Sequence, residues 1–180
     1  MHNKLKQVDD LLFCLQTKGF YVKIALVMKM GEKEKVILTN MCMIYDDNGN
    51  ILVQDKISKS WGGVIFPGGH IESNESFNDS VIREVKEETG LDIQNPKLCG
   101  IKHWKQKDNS RYIVLFYKTN EFSGNLQSSN EGEVFWIKKT ELNTYKLADG
   151  FETMFDVFEN DNLSEMMLVE ENGNWEKKIY

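Results

Sequence analysis

Three stretches of this 180-residue chain carry apolar residues at helical spacing, and most of the remainder reads as short strands between polar turns. Leu5, Val8, Leu11, Leu12 and Leu15 predict a short amphipathic helix, and "FYVKIALVMKM" predicts a strand closed by the polar turn "GEKEK". A second strand, "VILTNMCMIYD", runs into "DDNGN", a turn signal that predicts a hairpin with "ILVQDK". After the loop "ISKSWGG" and the segment "VIFPGG", Asn78 to Thr89 predicts the most strongly marked helix, with Gly90 as its C-terminal cap. "KLCGIKHW" and "RYIVLFYKTNEF" flank "KQKDNS" as an antiparallel pair, and "EVFWI" is a further strand. "FETMFDVFEN" predicts a helix, and "SEMMLVEENGNWEKKIY" a terminal hairpin turning at "ENGN". No internal repeat is present. Many strands around one marked helix predict an α+β or layered α/β/α domain.

The length supports one full core, and 41% apolar with 28% charged residues describes a soluble globular protein. A net charge of -6 with no basic block disfavours a nucleic-acid backbone as partner. A small phosphorylated ligand stays open, because bound divalent cations invert the local sign of a site. Cys14, Cys42 and Cys99 have neither pairing nor zinc-type spacing, which predicts reduced thiols in a cytoplasmic protein. The first apolar run, Ile24 to Met28, is too short to span a bilayer, so no membrane partner is expected.

Acidic residues gather in "FPGGHIESNESFNDSVIREVKEETGL", Phe66 to Leu91. Glu84, Glu87 and Glu88 stand at i, i+3 and i+4, on one side of the predicted helix. Phe77, Val81 and Val85 form the opposite stripe, spaced to bury against a sheet. Like charges at this spacing destabilise a helix unless solvent or a cation relieves them. A solvated acidic face is the ordinary explanation; the alternative is a metal site, where hard oxygen donors suit Mg2+ or Mn2+ better than zinc. The residues ahead of the helix favour the metal. Pro67 fixes one torsion, and Gly68 and Gly69 let the backbone approach a ligand closely. Arg83 is placed to pair with Glu75 through both prongs of its guanidinium, pinning the loop to the helix.

Taken together these residues resemble the Nudix hydrolase family. Its box is a glycine, five free positions, a glutamate, seven free positions, then Arg-Glu-apolar-x-Glu-Glu-x-Gly-apolar. Here those places hold Gly69, Glu75, Arg83, Glu84, Val85, Glu87, Glu88, Gly90 and Leu91. The resemblance implies an αβα sandwich with a mixed sheet and a loop–helix–loop motif. It also implies that a metal-activated water cuts a phosphoanhydride in a nucleoside diphosphate linked to another group. The implied metal ligands are the Gly69 carbonyl, Glu84, Glu87 and Glu88, with Glu75 and Arg83 as a structural salt bridge. A further metal-binding acid often follows the box. Glu131 in "NEGEVFW" fits it, with Glu133 as rival. The general base varies within the family; the expectation here is a box glutamate acting with Glu131.

Over Thr39 to Phe158 the chain also resembles the MutX-type 8-oxo-dGTP diphosphatases of Gram-positive bacteria. The stretches that carry this are "ILTNMCMI", "FPGGHIE", "VIREVKEETGL", "RYIVLFYKTNEFSG" and "SSNEGEVFWI". Such enzymes remove pyrophosphate from oxidised dGTP and keep the damaged base out of DNA. The resemblance points to Asp149 in "KLADG" on the purine edge, where the alternative is an N-cap for the following helix. It points to Lys56 and Lys59 as phosphate contacts, and to Trp61 as a wall of the site or an ordinary packing residue. Substrates such as ADP-ribose, dinucleoside polyphosphates or an RNA 5' end stay open, as does a non-catalytic nucleotide-binding module. Residues 1–35 are expected to form an extension, helix plus strand, packed on a Nudix domain of residues 36–180. A monomer or homodimer is expected.

Overall fold

The structure, a computed structural model, describes residues 33–57 and 62–180. The helix and strand expected nearer the N-terminus, and Lys59 and Trp61, lie outside the described residues. The strands are β1 (Val36–Ile44), β2 (Asn50–Lys56), β3 (Gly63–Ile65), β4 (Leu91–Ile93), β5 (Lys97–Lys105) and β6 (Arg111–Thr119). They continue with β7 (Phe122–Gly124), β8 (Gly132–Lys138), β9 (Glu165–Glu171) and β10 (Asn174–Ile179). The helices are α1 (Phe77–Thr89) and α2 (Phe151–Glu159). A five-stranded mixed sheet has the order β1-β6-β5-β9-β10, a second sheet is β3-β2-β8, and β4 pairs with β7. None of the helices among the described residues is long and apolar enough to cross a membrane.

The "DDNGN" turn forms, since the Asp46 amide donates to the Asn50 carbonyl at 3.0 Å and Asp46 Oδ1 accepts from the Asn48 and Asn50 amides. The hairpin expected on either side of it does not. A single bridge joins Tyr45 to Ile51, after which β1 and β2 enter different sheets. The reason lies at the edge of β1, which the glycine loop already occupies. The amides of Asn40 and Cys42 donate to the carbonyls of Gly69 and Pro67 at 2.8 and 2.9 Å, and Ile71 returns its amide to Leu38 at 3.1 Å. The partner edge pairs in parallel with β6. With both edges filled, β1 has no hydrogen-bonding side left for β2.

Alternation along β1 and β6 sorts side chains into two cores, as period-2 geometry requires. Met41, Met43, Val114 and Phe116 join Phe66, Phe151, Met154 and Phe158 on the α2 side. Cys42, Ile44, Leu115 and Tyr117 join Val81, Val85, Leu91 and Ile93 on the α1 side. This is the αβα sandwich expected from the sequence. The terminal hairpin, β9 with β10, adds the two outer strands of the larger sheet.

Helix α1 starts where Ser76 Oγ accepts the Asp79 amide at 3.0 Å, and it stops at Gly90 in the left-handed region. Its buried stripe differs from the expected one. Val81 and Val85 are fully buried, but Phe77, at the first position, is 46% exposed. Ser80, Glu88 and Thr89 are buried instead, so polar groups line the helix where it meets the sheet. At α2 the N-cap is Gly150, with φ 76°, so Asp149 stands one residue outside and caps nothing.

Candidate active site

The site begins where the glycine loop crosses the edge of β1. Gly68 has φ 151°, and a Cβ there would strike the Asn40 carbonyl. Its amide donates to Glu88 Oε2 at 2.7 Å. A Cβ at Gly69 would occupy the space of the Glu84 carboxylate. Two positions without side chains therefore bring backbone into contact with two acids of the helix. The Gly69 carbonyl accepts from Asn40, which leaves it a second lone pair.

Arg83 ties this loop to the helix. Its Nε and Nη2 donate to Glu75 Oε2 and Oε1 at 3.1 and 2.8 Å, the two-pronged pair anticipated from spacing. Nη2 also reaches the His70 carbonyl at 3.0 Å, and Nη1 reaches Glu84 Oε1 at 2.9 Å and Glu87 Oε2 at 3.2 Å. One guanidinium thus holds a loop carbonyl and three carboxylates. Its hydrogen bonds keep the Glu75 carboxyl down at about 2. Burial pushes the Glu84 carboxyl the other way, upward.

Opposite the loop, Lys56 at the end of β2 stands between two acids. Its Nζ is 3.0 Å from Glu131 Oε2 and 3.7 Å from Glu88 Oε1. Glu88 is only 3% exposed, and burial raises its carboxyl well above the usual range. The hydrogen bond from Lys56 lowers that of Glu131. Glu88 Oε1 is a buried oxygen without a hydrogen-bond partner among the described residues. Asn40 Oδ1 and both amide atoms of Gln54 share that condition.

Among the described residues, no three His, Cys, Asp or Glu side chains converge as a finished ligand set. Lys56 and Arg83 supply the cluster's positive charge from within the chain. The donor chemistry nevertheless fits Mg2+: carboxylate oxygens, a loop carbonyl with a free lone pair, and an orphaned oxygen on a buried glutamate. Glu84 and Glu88, 13% and 3% exposed at the side chain, flank the glycine loop, whereas Glu87 and Glu131 are 60% and 55% exposed at its rim.

Lys56 therefore lies in the site. Asp149 belongs to the turn before α2, where its exposed carboxylate pairs with Lys177 Nζ at 2.7 Å. Two neighbours of the loop were not anticipated. Tyr112 stacks on Trp104 with ring centroids 4.4 Å apart, and His70 meets Tyr112 edge-on at 6.2 Å. Alternation in "RYIVLF" marks Tyr112 as sharing a face with Val114, but not which face. Asn40 and Gln54, polar residues inside apolar strands, were the available sign of buried polar groups beneath α1, where Asn40 Nδ2 donates to Ser80 Oγ at 2.9 Å.

The NUDIX domain family model matches residues 37–160. The uncharacterized Nudix hydrolase YvcI of Bacillus subtilis is 34% identical over 114 residues, covering 61% of this chain and 70% of that protein. The 8-oxo-dGTP diphosphatase of Proteus vulgaris is 31% identical over 87 residues, 47% of this chain and 76% of that one. The ADP-ribose pyrophosphatase of Methanocaldococcus jannaschii is 27% identical over 92 residues, and the match spans 51% of this chain and 54% of that relative. The crystal structure of a MutT protein from Bacillus halodurans superposes with a TM-score of 0.67 at 26% identity, covering 79% of this chain and 97% of that chain.

Proposed function

The chain belongs to the Nudix hydrolase family, and on that premise we propose that it hydrolyses nucleoside triphosphates, 8-oxo-dGTP foremost, to monophosphate and pyrophosphate. The coarser activity, Mg2+-dependent pyrophosphohydrolysis of a nucleotide-derived substrate, comes with the family. The observation that carries the reading is the meeting of Gly68, Gly69, Glu84 and Glu88 at one loop, with Lys56 facing them. The substrate is supported by similarity to the Proteus vulgaris enzyme.

Bound Mg2+ supplies charge neutralisation for the diphosphate. Glu84, Glu88 and the Gly69 carbonyl would hold it, with Glu87 and Glu131 available at the rim. Lys56 leaves its ion pairs in part to contact a phosphate. Water adds to one phosphorus of the α–β bridge, that phosphoanhydride bond breaks, and the bridging oxygen leaves with the other phosphorus, giving monophosphate and pyrophosphate. The proton lost by that water is taken within the Glu88–Glu131 pair, whose two carboxylates both lie beside Lys56. Arg83 acts on the loop and the acids rather than on substrate. Asp149 accepts from the purine edge.

A panel of 8-oxo-dGTP, dGTP, dATP, dCTP, ADP-ribose and diadenosine polyphosphates with Mg2+, products resolved by chromatography, tests this. The expected result is the highest kcat/KM for 8-oxo-dGTP with release of pyrophosphate. Similarity to the Methanocaldococcus jannaschii relative favours a second reading, ADP-ribose. A higher kcat/KM for ADP-ribose, split to AMP and ribose 5-phosphate, would replace the first reading with the second.

A further inference from the structure

The sheet face under α2 carries an unusual cation. Register pairs Thr39 with Val114, Val114 with Lys102, and Lys102 with Met166, so these four stand in one row across β1, β6, β5 and β9. Lys102 is only 7% exposed. Its Nζ has Met154 Sδ at 3.5 Å as its hydrogen-bond acceptor among the described residues, and it lies 5.6 Å from the centroid of Trp104. An ammonium carries three donors, and a thioether is a weak acceptor. Among the described residues those donors are left underused.

The same row leads to the active site. Thr39 is bridged to His70 of the glycine loop, so Lys102 lies three strand spacings from that loop, roughly 14 Å. The next row runs Ile37, Tyr112, Trp104, Leu168 and Lys177, an aromatic wall along the path. The Asp149–Gly150 turn rests on Met166 and on the Lys177 stem, bringing the Asp149 carboxylate to the Lys102 end of the row. A nucleotide with its phosphates at the loop, laid across these strands, presents its base to a buried donor and a neighbouring acceptor.

We propose that Lys102 is the specificity-determining residue for the base, donating to O6 of a 6-oxopurine while Asp149 accepts from N1–H and the 2-amino group. This rests on the nucleotide reading above but not on the triphosphate. Adenine sets an amino donor against the ammonium and is rejected, because two donors then face each other without an acceptor. Tyr112 and Trp104 bound the base without reading its edge.

The test is calorimetric affinity of the metal-free protein for dGMP and dAMP, in the wild type and in Lys102→Met, a substitution of similar length suited to burial. The wild type is expected to prefer dGMP by about ten- to a hundredfold, and Lys102→Met to bring the two within about threefold. Equal affinities in the wild type, or an undiminished preference in the variant, overturn the proposal. If the variant does not fold, 6-thio-dGMP decides with the wild type alone. It keeps N1–H and the 2-amino group but offers sulfur at position 6, and should bind about tenfold more weakly than dGMP. Equal binding of the two overturns the proposal. Binding of monophosphates needs no hydrolysis, so failure to cleave triphosphates would count against the substrate reading alone.

Discussion

The two helices occupy opposite sides of one sheet and are held there by different forces. Helix α2 buries Phe151, Met154, Val157 and Phe158 in nine residues, and Phe158 packs on Phe66 and Phe116 at 5.0 and 4.6 Å. Helix α1 buries Val81 and Val85 beside Ser80, Glu88 and Thr89, and it depends on a side-chain cap, a left-handed glycine and the ties of Arg83. Every buried polar side-chain atom without a partner among the described residues, in Asn40, Gln54 and Glu88, belongs to a residue other than those of the α2 core. The lesson is a division of labour. One layer is built for packing; the other holds every partnerless buried polar side-chain atom of the described residues, the Glu88 Oε1 oxygen beside the glycine loop among them.

Breaking each layer in turn should give opposite phenotypes. Phe158→Ala, on the packing side, should cost about 3–5 kcal/mol of stability in chemical denaturation, with kcat of the folded fraction unchanged. Glu88→Gln, on the chemical side, should lower kcat about a hundred- to a thousandfold, roughly 3–4 kcal/mol of barrier, with native circular dichroism. If Glu88→Gln unfolds the protein instead, the acid is structural and the contrast collapses.

Lys102 sharpens the comparison, since it places one charge inside the packed layer. Burial lowers its pKa from 10.5 to about 8 in the folded protein. The unfolded chain thus holds that proton more tightly, so Lys102 destabilises the fold fully below pH 8, and the penalty fades as pH rises from about 8 to 10.5. Lys102→Met should be more stable than wild type at pH 7 by up to about 3 kcal/mol, with the gap closing above pH 10. A gap that does not change with pH would mean that the ammonium is solvated. The smallest effect is expected at Arg83, which touches loop and acids but no reacting atom. Arg83→Ala should lower kcat about ten- to a hundredfold, and a double-mutant cycle with Glu75→Ala should be non-additive.

The box was fully legible in the sequence because its function sets residue types at fixed spacing: Gly69, Glu75, Arg83, Glu84, Glu87 and Glu88 could be named before any coordinate. Helix limits were legible too, from Gly90 and the apolar pair Val81 and Val85. The fate of "DDNGN" was not, because the turn is local while the choice of sheet depends on the glycine loop filling the edge of β1. Phe77 was misplaced because spacing gives a stripe's direction, not where along the helix the sheet begins. Lys102 and Tyr112 were missed for a related reason: alternation tells which residues share a face, and only register across four strands shows that the face leads to the loop.

The central claim is that the acids on the α1 side are donors for Mg2+ and not a solvated surface. Isothermal titration of Mg2+ into the wild type and Glu88→Gln, with stability measured in parallel, tests it most directly. The account predicts saturable binding by the wild type and at least about tenfold weaker binding by Glu88→Gln at undiminished stability. Equal Mg2+ affinity in the two proteins would contradict it.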